Sequence, residues 1–193
     1  MSDNYHHGNL RQALIDAGIK IINRHGEENL SLRKVASACN VSHAAPYAHF
    51  KDKDELIEEI KSTVTGRFMN ALEKSVKDSP DTQTALVNMG KAYVLFFIDN
   101  PDYFKFLFGS QNVTAHLNLD KNYKNDYPPF MLLKNTYLKY IKENGTENFT
   151  EDQELELLSL WSHVHGLASI ACMSKVKVSF DWKDKILGDK LIR

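Results

Sequence analysis

Two cysteines in 193 residues, Cys39 and Cys172, leave no material for a disulfide framework. Each falls in an apolar helical pattern, so both are expected as reduced thiols packed as small hydrophobes in a reducing cytosol. No GxSxG, paired-cysteine, Walker or HExxH motif occurs. His163 and His165 are two apart and so point to different helix faces, unlike the i, i+4 pairs that hold a metal. Neither catalysis nor a metal site is expected, and no cofactor is called for. Charge of one sign is lacking too: 24 basic against 25 acidic residues give a formal net charge of −1. There are no repeats or low-complexity tracts, and the N-terminus has no apolar signal core, so secretion is not expected and a cytoplasmic location is. The longest stretch without Lys, Arg, Asp or Glu runs from Leu157 to Ser174, but its Ser and His residues fall on more than one helical face. It reads as a helix buried in protein rather than a membrane span.

What the chain does have is a patterned head. From Ser31 to Lys53 the sequence is SLRKVASACNVSHAAPYAHFKDK. Leu32, Val35, Ala36 and Cys39 recur at helical spacing, and Ser31 is placed to cap them. Asn40 then sits where the chain must reverse, and Asn tolerates a left-handed conformation at modest strain. Ser42 is a candidate N-cap for a second helix from His43 to about His49, whose small residues Ala44 and Ala45 let it lie close in a groove. Pro46 falls at the fourth position of that helix and cannot donate to the Ser42 carbonyl, so its start is expected to be irregular. Upstream, Leu10, Leu14, Ala17 and Ile21 predict a support helix from Asn9 to His25, ended by Gly26. Downstream, Phe50 offers a core anchor, and Asp52 with Glu55 forms a capping-box pattern opening a long helix. The expectation is all-α: a three-helix helix-turn-helix DNA-binding domain over 1–53 and a helical regulatory domain over 54–193. Residues 1–53 hold seven basic against five acidic residues, +2, leaving −3 for the remainder. A weakly basic head suits a reader that uses a few side chains and backbone amides on phosphates.

The segments LRQALIDAG, SLRKVA and NVSHAAPYAHFKDKDEL resemble the DNA-binding domain of the TetR family of bacterial transcriptional regulators. The Val-Ser, Tyr-x-x-Phe and Lys-Asp-Lys elements stand at that family's spacing. Asn40 departs from the usual glycine of the turn, and Pro46 from the usual aliphatic residue. Farther on, Trp161, His165 and Gly166 in WSHVHGL resemble the WHG type of C-terminal domain within the family.

If the head reads DNA, its side chains divide by chemistry. Ser31, Tyr47, His49 and Lys53 can donate to phosphates, with backbone amides near Ser42, and these set register. His43 can bond a base edge, and Ala44, Ala45 or the Pro46 ring can touch a thymine methyl. Arg33 reads equally as a phosphate contact or a solvated face.

In the body, Ser79-Pro80 and Asn100-Pro101 each look like a cap followed by the proline favoured at a first helical position. They predict helices to about Asp99 and from Pro101 to Phe108. Residues 110–129 are rich in turn formers and are expected to be a mobile loop. Helical spacing resumes from Phe130 to Glu143. Thr150 with Gln153 opens a last long helix, ending near Ser174, and Asp181 to Leu191 adds a short one.

That long helix carries two stripes. Leu157, Leu160, Trp161, Val164, Ala168 and Ala171 are large and apolar, whereas Leu155, Leu158, Ser162, His165, Ser169 and Cys172 are smaller and more polar. A helix needing two burial partners packs on its own core and on a second subunit, so Leu158, Ser162, His165, Gly166 and Ser169 are the expected homodimer contacts. Aromatic residues crowd the middle of the chain, and a conventional core accounts for them. The family resemblance adds a pocket, with Phe96, Tyr103, Phe104, Phe108, Met131 and Trp161 as its expected lining. The function expected of such a chain is that of a homodimeric repressor, released from a palindromic double-stranded DNA operator by a small hydrophobic or aromatic effector. Ligand-independent repression and activation stand as alternatives, and an enzyme or a protein-binding adaptor on a helical scaffold as readings of a different class.

Overall fold

In a computed structural model of the chain, residues 10–109, 113–121, 123–145 and 149–192 are described, and every regular element among them is helical. The chain divides into two compact units at Val64 and Thr65, well past the expected boundary at Lys53. The cause is the start of the third helix, where Leu56, Ile57, Ile60 and Val64 are buried with the head.

In the first unit, α1 spans Leu10–His25 and buries Leu14, Ile15 and Ile19. It stops where Gly26 takes φ 85°, followed by a 3₁₀ turn at Glu27–Asn29. α2 spans Leu32–Ala38, and Ser31 caps it as expected, its hydroxyl accepting from the Lys34 amide. α3 spans Lys53–Lys77. The expected capping box is displaced by one residue on one side: Asp52 Oδ1 accepts from the Glu55 amide at 2.9 Å, but Glu55 reaches back to the Lys51 amide rather than to that of Asp52. Phe50 is 1% exposed, with the Arg11 guanidinium 5.4 Å above its ring. Arg11 also pairs with Glu59 at 2.6 Å, and that contact raises the guanidinium's pKa and lowers the carboxyl's.

In the second unit, α4 spans Thr82–Asp99, α5 Pro101–Phe108, α6 Pro128–Glu143, α7 Glu151–Ala171 and α8 Trp182–Leu187. α4 packs against α6, α7, α5 and α8. One expected start is corrected, and one expected cap lacks its side-chain bond. Asp81, not Ser79, caps α4, its carboxylate accepting from the Thr84 amide at 2.7 Å. Ser79 instead closes the preceding helix, donating to the Ser75 carbonyl at 2.7 Å. Asn100 likewise turns its amide back to the Phe96 carbonyl at 2.8 Å and leaves the start of α5 to Pro101. A short polar side chain between two helices can serve either neighbour, and both serve the earlier one. The capping box of Thr150 and Gln153 forms in full.

The turn-rich segment is fastened rather than free over its described residues, 113–121 and 123–127. Fully buried Lys134 donates from α6 to the carbonyls of Asn118 and Lys121. His116 meets Asp126 at 2.6 Å and stacks on Tyr123 with ring centroids 3.9 Å apart. The Tyr127 amide donates to the Thr114 carbonyl at 2.8 Å, and the Leu119 amide to Glu154 at 3.1 Å. The expectation of a mobile loop is corrected for these residues, and positions 110–112 and 122 lie outside the described residues. Among the described residues, no helix is long and apolar enough to cross a membrane.

Candidate functional site

The turn of the head is built by the C-terminal end of α2. Asn40 takes φ 54°, the Asn40 amide donates to the Ser37 carbonyl at 3.2 Å, and the Val41 amide reaches back to Ala36 at 3.1 Å. This pair of bonds is a Schellman closure, which requires a left-handed residue at the position Asn40 occupies.

The second helix of the motif is shorter than the expected His43–His49. A turn at His43 and Ala44 leads into a 3₁₀ helix, Ala45–Ala48. Pro46 is the reason. The Ser42 carbonyl would accept the fourth residue's amide in an α-helix, and Pro46 has none. It accepts from the Ala45 amide at 3.0 Å instead, tightening the chain into 3₁₀ geometry. Ala44 stands at the cap position with no side-chain bond, so Ser42 is not the cap that the spacing predicts. Pro46 is buried, and its carbonyl accepts from the His49 and Phe50 amides, both at 2.9 Å. Its ring is part of the head's core, which corrects the expectation that it touches a base.

Of the other residues assigned to DNA, Arg33, Ser42, His43, Ala44 and Tyr47 are exposed, and Ser31, Ala45, His49 and Lys53 are partly covered. Tyr47 keeps 56% of its surface open. His43 is held across the turn, its Nε2 3.3 Å from Ser37 Oγ, while Ser37 donates to the Arg33 carbonyl at 3.0 Å. An open groove of about 530 Å³ beside this face is walled by Arg33, Lys34, His25 and His43. The common edge of Lys34, His25 and Ser37 exists only once α1 and α2 are packed.

In the second unit a cluster of aromatic rings gathers around Phe68 and Phe97. Phe68, on α3 and fully buried, has ring centroids of Tyr93, Phe96 and Phe97 within 4.6–5.0 Å. Phe104 and Phe108 extend the cluster from Phe97, and Tyr103 meets Phe96 at 6.1 Å. Of the six residues assigned to a ligand, Phe108 and Trp161 wall a void of only about 20 Å³, the scale of a single water. Phe104 and Phe108 also border an open groove with Ser169. Phe96, Phe104 and Met131 are half-buried.

A larger cavity, about 380 Å³, lies elsewhere, between α4, α6 and α7. Its walls include Tyr93, Tyr137, Tyr140, Glu156 and His163, and Ile192 closes one side. A methyl group on Gly90 would stand 3.2 Å from both Ile192 and Val164, so glycine lets these side chains close in. Tyr137 donates to Glu156 at 2.6 Å, and burial together with that carboxylate pushes the phenol's pKa well above its usual value. The clue in the sequence was slight: Tyr137 and Tyr140 are one helical turn apart, yet only the packing of α6 on α4 turns them to a common space.

The stripes of α7 are partly exchanged. Leu157, Val164 and Ala168 are buried as expected, but Leu160 is 36% exposed. His165, assigned to the outer stripe, is turned inward: its Nδ1 lies 2.9 Å from the Tyr93 hydroxyl and its ring 4.7 Å from Phe108. The polar groups of His165 and Tyr93 satisfy each other inside an aromatic shell, which settles the imidazole there. Burial lowers its pKa. Leu158 and Ser162 are exposed, Gly166 and Ser169 are half-covered, and a methyl added at Gly166 would meet nothing within 4 Å. Cys39 and Cys172 are both free thiols, and burial pushes the Cys172 thiol up to about 11.

Residues 14–60 match the family described as bacterial regulatory proteins, tetR family. An uncharacterized HTH-type transcriptional regulator of Haemophilus influenzae is 29% identical over 116 residues, 60% of this chain and 62% of that protein. The HTH-type nicotine-responsive transcriptional repressor HdnoR of Paenarthrobacter nicotinovorans is 37% identical over 73 residues, 38% of each chain. The aligned stretch thus spans less than two thirds of either relative. The crystal structure of a TetR-family transcriptional regulator from Haemophilus influenzae superposes with a TM-score of 0.63 at 24% identity, covering 95% of this chain and 93% of that one. The fold is therefore shared over 95% of this chain. These relatives are transcriptional regulators, not enzymes.

Proposed function

We propose that this protein, whose residues 14–60 match the tetR family of bacterial regulatory proteins, is a homodimeric repressor that binds a palindromic operator and is released from it by a small molecule. The observation that carries the reading is the exposed face beyond the Schellman turn, where His43, Ala44 and Tyr47 stand clear of the core beside Arg33. A duplex placed there meets a donor for base edges, a small residue for close approach and phosphate partners at the rim.

The dimer rests on α7. Leu155 and Leu158 are 55% and 39% exposed, and Gly166 leaves room for a close neighbour. An apolar stripe of this kind is covered by a second copy in an isologous pair, which sets two readers about 34 Å apart on successive major-groove faces. Release follows if the effector prefers a dimer whose heads are wrongly spaced for the operator. HdnoR, named as nicotine-responsive, supports a small-molecule response.

Genome-wide mapping of bound DNA supplies the operator, and fluorescence anisotropy on that fragment tests the map. Lys53→Ala is expected to weaken binding on every sequence and reduce its salt slope by about one, whereas His43→Ala alters base preference. Unchanged operator affinity in both variants overturns the contact map. The effector is then sought among the substrates of the products of the bound promoters.

A further inference from the structure

We propose that the cavity between α4, α6 and α7 takes a singly charged organic cation with an apolar or aromatic body, of the arylalkylammonium class, with Glu156 as counter-ion and tyrosine rings as walls. The inference deepens the effector-responsive reading, and it rests on that reading only for its consequence at DNA.

The first ground is size. At about 380 Å³ the cavity lies within the range of sites for small organic ligands, whereas the void at Phe108 and Trp161 does not. The second is charge. Among the described residues lining the cavity there is no Lys or Arg, and Glu156 is the one carboxylate. Glu156 keeps its solvent exposure, so an anionic ligand would meet a carboxylate with no cation among the described lining residues to offset it. A cation inside the cavity has its counter-charge already in place.

The third ground is preorganisation. Tyr137 is fully buried and donates to Glu156 at 2.6 Å, which fixes the carboxylate against the wall. A tyrosine phenol is protonated at neutral pH even unshifted, and burial only reinforces this at Tyr137, so it adds no competing negative charge. His163, the other ionisable group besides the tyrosines, meets the Leu191 carbonyl through Nε2 at 2.8 Å and is thereby tied to the main chain. The fourth is the wall itself. Of the three lining tyrosines Tyr140 is half-exposed, Tyr93 and Tyr137 being 7% and 0% exposed, and Leu86, Leu133 and Val164 share the walls. A tyrosine ring left open to the cavity attracts an ammonium group, and the aliphatic side chains cover its apolar body.

Calorimetric titration of the full chain with three probes of one shape tests the proposal: benzyltrimethylammonium, its uncharged isostere neopentylbenzene, and phenylacetate. The cation is expected to bind at least about 10-fold more tightly than the isostere, and phenylacetate not to bind. Glu156→Gln, which keeps an acceptor for Tyr137, should cost the cation about 10-fold or more and leave the isostere unchanged, with the helical circular-dichroism signal and melting temperature as checks on folding. Equal affinity for cation and isostere, preference for phenylacetate, no effect of Glu156→Gln on a folded protein, or no binding of any probe at millimolar concentration overturns it. The same probes added to the operator complex separate the two readings. A cation that binds through Glu156 yet leaves operator affinity unchanged upholds the site and overturns its link to DNA release.

Discussion

Ser37 Oγ and His43 Nε2 lie 3.3 Å apart across the turn at Asn40, so the last turn of α2 holds the histidine that leads the face proposed to read DNA. The pair is solvent-exposed, and such a bond contributes about 0.5–1.5 kcal/mol at most. Ser37→Ala should therefore leave thermal stability nearly unchanged while freeing the imidazole. Anisotropy measurements on operators substituted one base pair at a time should show broadened base preference at the position His43 meets. Unaltered preference would assign the hydroxyl to the backbone of α2 alone, through its bond to Arg33.

At Asn40 the backbone sits at φ 54° in a Schellman closure. Glycine adopts this conformation freely, whereas a β-branched residue does so at a cost of about 1–2 kcal/mol. Urea denaturation should place Asn40→Gly within about 0.5 kcal/mol of the parent and Asn40→Val about 1–2 kcal/mol below it. Equal stability of the two variants would show that the turn relaxes out of the left-handed region.

Lys134 is the fastener of the segment before α6. Its ammonium is fully buried and donates to the carbonyls of Asn118 and Lys121. Lys134→Met keeps the aliphatic length and removes the donors, leaving two carbonyls without a partner at about 1–3 kcal/mol each. Limited proteolysis followed by mass spectrometry should find cleavage within residues 113–127 much faster than in the parent. Protection equal to the parent's would place the anchoring on His116 with Asp126 instead.

His165 predicts how stability depends on pH. Burial lowers its pKa in the folded protein below the ordinary 6.5, so the unfolded chain takes up the proton first. Its contribution is complete above pH 6.5 and is lost as pH falls from there through the lower folded value. Denaturation curves at pH 7.5 and 5.5 should show a loss of stability that His165→Asn reduces, although the variant is weaker at both pH values for want of the imidazole's packing. A pH slope that survives His165→Asn undiminished would assign the acid sensitivity to other groups.

Much of this architecture was legible in the sequence because caps and periodicity act locally. Ser31 on α2, the Thr150 and Gln153 box on α7, and the left-handed Asn40 all follow from the reach of a side chain to a backbone amide, or from the sterics of one residue. Pro46 forecast irregularity from its missing amide, and the 3₁₀ helix is the form that irregularity takes. Where two helices abut, the local rule has two solutions. Ser79 and Asn100 took the one facing backward, Ser79 beside an Asp81 that supplies the cap of α4.

The tertiary structure alone decided which faces meet. Periodicity divides α7 into stripes, but it cannot say that Leu160 is left at the surface while His165 turns in to Tyr93 and Phe108. That depends on where α4 and α5 put a hydroxyl and rings, a non-local matter of packing and hydrogen-bond satisfaction. The cavity at Glu156 and the Lys134 fastener have the same origin. Sequence by itself determined an all-helical chain with a helix-turn-helix head, since backbone sterics and capping are local. The inward and outward sense of each side chain in the second unit was settled only by the neighbours that folding brought against it.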